Sequence, residues 1–226
     1  MEDFRLESVL LVGSDHKVGL GLVQQFLRLP HPPQQIFATC RCPDGPEGQV
    51  LKDTACRCSS HSALVLLELD VTDPDSIKEA AKKVKEHVAG QGLNLLINNA
   101  DVTFETTLDS ENAQTMAAVY ATNTIGPMQV CQVFLPLLKT AAWRSQRRGM
   151  SCSKAAIVNM SSRCGSLSVV DGWERKQDVG YRCSKAALNM LTRCQARSYS
   201  FWNILCISIH PGGMNTQLGA EQAAGS

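Results

Sequence analysis

This sequence of 226 residues lacks the features that would direct it to a membrane, to the cell exterior or to a nucleic acid. No segment approaches the about 20 apolar residues that cross a bilayer, and the apolar run at 9–12 is too short for a secretory signal. The 22 basic and 21 acidic residues nearly cancel, so no electrostatic attraction to nucleic acid or anionic membranes is expected. We therefore expect a cytoplasmic protein that binds neither.

Metal-binding patterns are also scarce, although the chain has ten cysteines. The closest pairs are Cys40/Cys42 and Cys56/Cys58, with His61 beyond them. One residue separates the cysteines of each pair, whereas structural zinc sites usually have two to four. We predict no metal site, and no disulfide framework because there is no secretory signal.

What the sequence does contain is an alternation of short apolar runs and amphipathic stretches, without repeats or low-complexity tracts. Strands are predicted at 8–12, 35–40, 64–69, 93–97, 155–160 and 204–209, and helices at 18–28, 73–88, 110–138 and 181–200. Strands that are apolar throughout are typical of a parallel sheet covered on both faces. We predict an α/β fold with a doubly wound, Rossmann-type parallel sheet in a single domain, residues 1–226.

Three local predictions accompany this fold. Asp73 is expected to cap its helix, with Pro74 in the first turn. The helical stretch 110–138 is expected to be interrupted near Gly126-Pro127, and residues 42–62, rich in Pro, Gly, Cys and Ser, are expected to be a loop with at most a short helix.

The ends of the predicted strands carry a series of motifs, and ligands bind at these ends in doubly wound sheets. In chain order they are Val-Gly-Ser-Asp-His-Lys-Val-Gly at 12–19, Asp-Val at 70–71, Asn-Asn-Ala-Asp at 98–101, Ala-Thr-Asn-Thr-Ile-Gly at 121–126, Val-Asn-Met-Ser-Ser at 158–162, Tyr-x-x-x-Lys at 181–185 and Pro-Gly-Gly-Met-Asn-Thr at 211–216. Each motif alone is weak, but their order and their positions agree. From about residue 8 to residue 216 the chain resembles the short-chain dehydrogenase/reductase family, in particular its sniffer-like carbonyl reductase branch.

The resemblance implies a catalytic set of Ser162, Tyr181, Lys185 and Asn123. Tyr181 and Lys185 are four residues apart on a helix and so share a face. A tyrosine has an ordinary pKa near ~10, and a nearby ammonium favours its phenolate form and lowers that pKa. Ser162 is expected to hold the carbonyl oxygen, and Asn123 to support a water that links the lysine to solvent. The implied reaction is hydride transfer from a nicotinamide to a carbonyl carbon, with Tyr181 donating the proton.

The resemblance also implies a dinucleotide site, formed by Gly13, Lys17, Gly19, Arg41, Asp70, Val71, Asn99, Ala100, Pro211, Gly212 and Thr216. NAD sites usually have a carboxylate after the second strand. Here Arg41 follows that strand, and its guanidinium suits a 2′-phosphate, so we expect NADP(H) to be favoured over NAD(H). A solvated arginine without this role is the alternative.

The chain departs from the family pattern at several positions. Lys17 stands where the family has a glycine that lets the backbone approach the pyrophosphate, so we expect bulk and backbone strain there. Asp101 replaces the last glycine of Asn-Asn-Ala-Gly and is expected to weaken cofactor binding through its negative charge. Val12 replaces a threonine, and Gly21 is expected to serve close packing within its helix. The sheet's last strand and the substrate lid are expected to be missing, with a disordered tail at about 217–226.

The leading hypothesis is an NADPH-dependent carbonyl reductase acting on a small carbonyl or alcohol. The resemblance also places homo-oligomer contacts on the helices at 110–138 and 181–200. The alternative is a truncated member or pseudoenzyme without turnover, acting through protein contacts. A third hypothesis is a regulator that binds the nucleotide without turnover.

Overall fold

A parallel β-sheet forms the centre of the computed structural model, which describes residues 5–15, 17–57, 63–146 and 148–212. Within these residues the strands are β1 (Ser8–Val12), β2 (Gln35–Cys40), β3 (Ala63–Glu68), β4 (Leu95–Asn98), β5 (Ala156–Met160) and β6 (Leu205–Ile209). They pair in the order β3-β2-β1-β4-β5-β6, and every pair is parallel. The strand order reverses between β1 and β4, which opens a crevice at the carboxyl ends of these two strands.

Helices cover both faces of the sheet, which confirms the predicted doubly wound fold. They are α1 (Lys17–Leu27), α2 (Pro46–Arg57), α3 (Pro74–Val88), α4 (Ala113–Tyr120), α5 (Gly126–Arg144) and α6 (Val179–Tyr199). Successive residues of a strand point to opposite faces. Leu10 therefore packs in one core with Phe134 of α5, and Leu11 in the other core with Val23 of α1. Each such buried side chain contributes roughly 1.5–3 kcal/mol.

The helix α3 begins as predicted. The Asp73 side chain accepts a hydrogen bond from the backbone of Asp75 at 2.9 Å, and Pro74 lies in the first turn.

The prediction that residues 42–62 form a loop with at most a short helix was wrong, because the 12-residue helix α2 lies within this range. Pro46 begins α2, a position at which proline loses no hydrogen bond. Leu51 is buried against the sheet and packs in the same core as Val23. The composition pointed to a loop, but burial of this leucine against the sheet stabilises the helix.

The helices α4 and α5 are continuous through a π-helical turn, Ala121–Ile125, so the interruption predicted at Gly126-Pro127 is displaced by a few residues and takes the form of a bulge. Gly126 itself is required by packing, since a Cβ there would lie 2.8 Å from Cβ of Val71. The π-turn includes Asn123, which is fully buried. Such bulges are frequent at functional sites.

Candidate active site

The helix α6 presents Tyr181 and Lys185 toward the end of β5, as their four-residue spacing predicts. Lys185 is only 2% exposed. Its ammonium group donates a hydrogen bond to the backbone oxygen of Met160 at 2.8 Å and lies 3.2 Å from Oδ2 of Asp101. A buried ammonium needs such partners, because burial without them favours its neutral form.

Asp101 also contacts the other catalytic candidate. The Tyr181 hydroxyl donates to Oδ2 of Asp101 at 3.3 Å. Burial raises the pKa of Tyr181 most strongly and the Asp101 carboxylate raises it further, while a hydrogen bond with the Ser162 side chain lowers it. Asp101 was expected to act on the cofactor, and the structure places it in contact with the candidate acid–base residues Tyr181 and Lys185.

Ser162 lies directly after β5, at the start of a 3-10 turn, Arg163–Gly165. Its hydroxyl accepts a hydrogen bond from the backbone of Cys164 at 3.1 Å, which fixes the turn. Asn189 of α6 anchors the same segment, because it accepts from the Ser161 hydroxyl at 2.7 Å and donates to the Gly165 carbonyl at 3.2 Å. The segment that carries Ser162 is thus bound to the helix that carries Tyr181.

Asn123 binds two parts of the site together. Its amide accepts from the backbone N–H of Val102 and donates to the carbonyl of the same residue, both at 2.9 Å. It also donates to the Ser184 hydroxyl at 3.1 Å. These contacts attach the segment after Asp101 to α6. The proposed water of Asn123 stays a prediction.

Glu111 holds the first turn of α6. Its carboxylate accepts from the backbone N–H of Gly180 at 2.8 Å and from the Thr106 hydroxyl at 2.7 Å, and it also accepts from the Thr115 hydroxyl. Hydrogen bonds from the two threonines are the main cause that lowers the pKa of Glu111 to about 2. The residue that precedes Tyr181 is therefore fixed by a carboxylate on the loop before α4.

A buried polar network lies behind the catalytic face. Asn98 of β4 donates to Asn159 of β5 at 2.8 Å, and Asn159 donates to Thr192 and Gln195 of α6 at 2.8 and 2.9 Å. All four residues are at least nine-tenths buried. Since buried polar groups are costly unless paired, the network fixes α6 in one position on the sheet.

The turn between β1 and α1 depends on two glycines. Gly13 has a φ of +79°, and a Cβ there would lie 2.6 Å from Cα of Ala100. A Cβ on Gly19 would lie 2.3 Å from the Gly13 carbonyl oxygen, to which the Asn99 side chain donates at 2.6 Å. Both predicted glycines are therefore required for the close contact between this turn and the end of β4.

The altered residues of this turn are accommodated differently from what the sequence suggests. Lys17 is the first residue of α1, and the backbone strain expected there stays a prediction. Val12 is buried in the core. Ser14 and Thr39 supply hydroxyl groups instead, with Thr39 accepting from the Gly13 N–H at 3.2 Å. A Cβ on Gly21 would contact nothing within 4 Å, so its predicted packing role was wrong.

The remaining cofactor candidates lie at strand ends, as predicted. Arg41 is exposed directly after β2. Asp70 follows β3, and its carboxylate accepts from the backbone and the hydroxyl of Thr72 at 2.8 and 2.7 Å. Val71 is buried in the core beside Gly126. Their contacts with a cofactor stay predictions, and Thr216 lies outside the described residues, as do residues 217–226.

One cavity of about 650 Å³ lies between the first turn of α1 and the segments that carry Ser162 and Tyr181. It extends from Val18 in the first turn of α1, past Asn99, to Ser162 and Tyr181, and it includes Pro211 and Gly212 after β6. The first turn of α1 has no acidic residue, so its N–H groups suit an anion such as a phosphate. The residues present therefore suit a dinucleotide, and the position of each of its parts stays a prediction.

Two features are absent from the described residues. No group of three or more His, Cys, Asp or Glu side chains there is arranged to hold a metal ion. No described helix combines the length and the apolar character needed to cross a membrane.

Comparison with known proteins identifies the family. The sequence model of the short chain dehydrogenase family matches residues 9–226, so the chain belongs to this family of oxidoreductases. It is 30% identical over 220 residues to estradiol 17-beta-dehydrogenase 2 of Mus musculus, a match that covers 96% of this chain and 50% of that protein. The chain thus spans about half the length of this relative.

Carbonyl reductases are among the most similar solved structures. The NADPH-bound carbonyl reductase from chicken fatty liver is 49% identical, with a TM-score of 0.90 over 96% of this chain and 83% of that one. The carbonyl reductase Sniffer of D. melanogaster is 33% identical, with a TM-score of 0.86 over 95% and 84% of the two chains. The predicted resemblance to the sniffer-like branch is confirmed.

Sequence reasoning missed the residues that support the catalytic set. They are Glu111, Asn159, Asn189, Thr192 and Gln195. Asn189, Thr192 and Gln195 continue the helical face of Tyr181 and Lys185 at intervals of three or four residues, which is a signal the sequence offers. Glu111 and Asn159 carry no such signal, because the contact of Glu111 with Gly180 and the contacts of Asn159 join positions that are distant in sequence.

Proposed function

We propose that this chain is an NADPH-preferring carbonyl reductase in which Tyr181 donates the proton to the carbonyl oxygen. The observation that carries the proposal is that one cavity extends from Val18, in the first turn of α1, to Ser162 and Tyr181, while the ammonium group of Lys185 is held at the end of β5. The NADPH-bound chicken reductase supports the choice of reaction and of cofactor. The exposed Arg41 supports the preference for a 2′-phosphate.

In the proposed reaction each residue has a separate task. Bound NADPH supplies the hydride that reaches the carbonyl carbon. Ser162 holds the carbonyl oxygen by a hydrogen bond, and Tyr181 transfers its hydroxyl proton to that oxygen, which yields the alcohol. The Tyr181 phenolate that remains takes its next proton from solvent. Lys185, fixed by the Met160 carbonyl, supplies a positive charge beside the phenolate, and Asp101 balances part of that charge.

The test is reduction of a panel of small aldehydes and ketones, followed through NADPH consumption and compared with NADH. We expect Tyr181→Phe to lower turnover by about 10²–10⁴-fold, the usual contribution of a general acid, and to leave NADPH affinity unchanged. Tyr120→Phe, a tyrosine on α4, is the matched control and should keep full activity. Undiminished turnover in Tyr181→Phe would disprove the assignment.

One observation favours the second candidate, a family member without turnover. The Asp101 carboxylate pairs with Lys185, and it raises the pKa of Tyr181, which opposes proton transfer. Calorimetric titration with NADPH separates the two candidates. Binding without turnover on any carbonyl supports a nucleotide-binding regulator, and no binding by the folded chain supports a member that acts through protein contacts. A cytoplasmic location and a homo-oligomer stay predictions.

A further inference from the structure

A single carboxylate oxygen contacts both members of the acid–base pair. Oδ2 of Asp101 lies 3.2 Å from Lys185 Nζ and 3.3 Å from the Tyr181 hydroxyl. The Asp101 side chain is 43% exposed, whereas that of Lys185 is 2% exposed. Asp101 therefore lies at the cavity wall, between solvent and a buried ammonium. In the family pattern this position is a glycine and has no side chain.

These contacts alter what Lys185 can do for Tyr181. An ammonium without an anionic partner stabilises a nearby phenolate by its positive charge. Here the charge of Lys185 is already balanced by Asp101. In addition, a phenolate at Tyr181 would lie in direct contact with the Asp101 carboxylate, and two like charges at such a distance repel, with water on the exposed side of Asp101 screening part of the repulsion.

The position of Asp101 is itself fixed. Residue 102, the next in the chain, is held by both polar groups of the Asn123 side chain. Ala100, the preceding residue, donates from its backbone to the Val12 carbonyl at 2.9 Å. The carboxylate is therefore attached to rigid backbone on both sides, and the contact with Tyr181 and Lys185 follows from the fold.

The other titratable groups around Tyr181 do not replace this effect. The Cys164 thiol, on the turn after β5, raises the pKa of Tyr181 less than Asp101 does. Three acids and three cations form the rest of the charged cavity lining, and their charges balance. The acids are Glu105, Asp171 and Asp178, and the cations are Arg175, Lys176 and Arg182; His210 after β6 also lines the cavity. Lys176 is paired with Glu105 and Asp178 at 3.2 and 3.5 Å. Among the described residues, the charge that touches the phenol oxygen is that of Asp101.

We propose that Asp101 is a further catalytic residue of this site. Its negative charge keeps Tyr181 protonated, and it balances the positive charge of Lys185, which would otherwise stabilise the Tyr181 phenolate. Its catalytic consequence rests on the proposed function: because reduction needs a protonated Tyr181, activity extends to higher pH than it would with an uncharged residue at position 101. Tyr181 is then a weaker acid, so its proton transfer to the substrate is slower when the Asp101 carboxylate is present.

The first test measures the titration of Tyr181 without cofactor or turnover. Tyrosinate absorbance is recorded against pH for the chain and for its Tyr181→Phe variant, and the difference isolates Tyr181 from the other two tyrosines. We expect Asp101→Asn, which keeps the shape and removes the charge, to lower the pKa of Tyr181 by about one unit or more. Asp101→Gly should act in the same direction. An unchanged or higher pKa in both variants would overturn the proposal.

Glu105→Gln is the matched control. It removes a carboxylate that lines the same cavity but pairs with Lys176, so the titration of Tyr181 should not change. Thermal unfolding of each variant establishes that it is folded. An equal shift in Glu105→Gln would mean that the general field of the cavity, and not the contact with Asp101, sets the titration, and it would also overturn the proposal.

The second test is the pH dependence of carbonyl reduction. The alkaline fall in kcat should move to lower pH in Asp101→Asn, with a higher rate at neutral pH. A profile that does not move while the chain is active would overturn the catalytic part of the proposal. If the Tyr181 titration shifts as expected but neither protein reduces any carbonyl, the proposed function fails and the electrostatic role of Asp101 stands.

Discussion

The two ends of the cavity are built in opposite ways. The β1–α1 turn depends on side chains that are absent, since a Cβ on Gly13 or Gly19 would overlap with neighbouring backbone. The Tyr181 end depends on side chains that are present, including the buried network behind α6. A side chain added at Gly13 or Gly19 would therefore act sterically at the first end, whereas a departure from the family pattern at the second end acts electrostatically. Asp101, which fits sterically and alters the charge beside Tyr181, illustrates the second kind.

The largest effect is expected where the buried network is broken. Asn159→Leu keeps the approximate volume but removes the oxygen acceptor of the Asn98 amide, which then has only the Cys131 sulfur, and it removes the donor to Thr192 and Gln195. We expect a loss of about 2–4 kcal/mol in the free energy of unfolding, measured by urea titration.

An exposed amide provides the control for that experiment. Asn112 caps α4 and accepts hydrogen bonds from the backbones of Gln114 and Thr115, both at 3.0 Å. Its replacement by alanine should cost only about 1 kcal/mol. If Asn159→Leu cost no more than this, the network would not fix α6 as argued.

A smaller effect is expected at the glycine turn. In Gly13→Ala the new Cβ meets the backbone of Ala100 at a φ that L-residues rarely adopt. We expect a loss of about 1–3 kcal/mol in the free energy of unfolding and a marked loss of NADPH affinity in calorimetry. Gly21→Ala, where a Cβ contacts nothing, should instead stabilise the chain by about 0.5–1 kcal/mol. If the two variants changed the free energy of unfolding equally, the glycine turn would not depend sterically on the absence of a Cβ at Gly13.

The smallest effect is expected at Glu111, and it depends on pH. The pKa of Glu111 is lowered to about 2 in the folded chain, from an ordinary value of 4.5. Its contribution is therefore fully present above pH 4.5 and is lost as the pH falls toward 2. In urea titrations, Glu111→Gln should be less stable than the native chain by about 1 kcal/mol at neutral pH, and the difference should vanish near pH 2. Glu79→Gln, an exposed position on α3, should leave the profile unchanged.

Features that depend on residues close in sequence were predicted, and features that depend on residues distant in sequence were missed. The strand Ser8–Val12 and the cap at Asp73 follow from periodicity and local hydrogen bonding, so both were predicted from neighbouring residues. The helix α2 was missed because its stability comes from Leu51 packing against a sheet whose strands are distant in sequence. The candidates Ser162, Tyr181 and Lys185 were selected through motifs, and their catalytic roles stay predictions, as do the cofactor contacts of Arg41 and Asp70.

The sequence by itself determined the fold class and the family, because apolar strands, helical spacing and strand-end motifs are all local patterns. It also determined that Tyr181 and Lys185 share a helix face. Only the tertiary structure decided what surrounds that face. Three sets of contacts join positions that are tens of residues apart. They are the contacts of Asp101 with both residues, the hydrogen bond from Gly180 to Glu111, and the network through Asn159. Their charges and hydrogen bonds act across space, and no spacing along the chain reveals them.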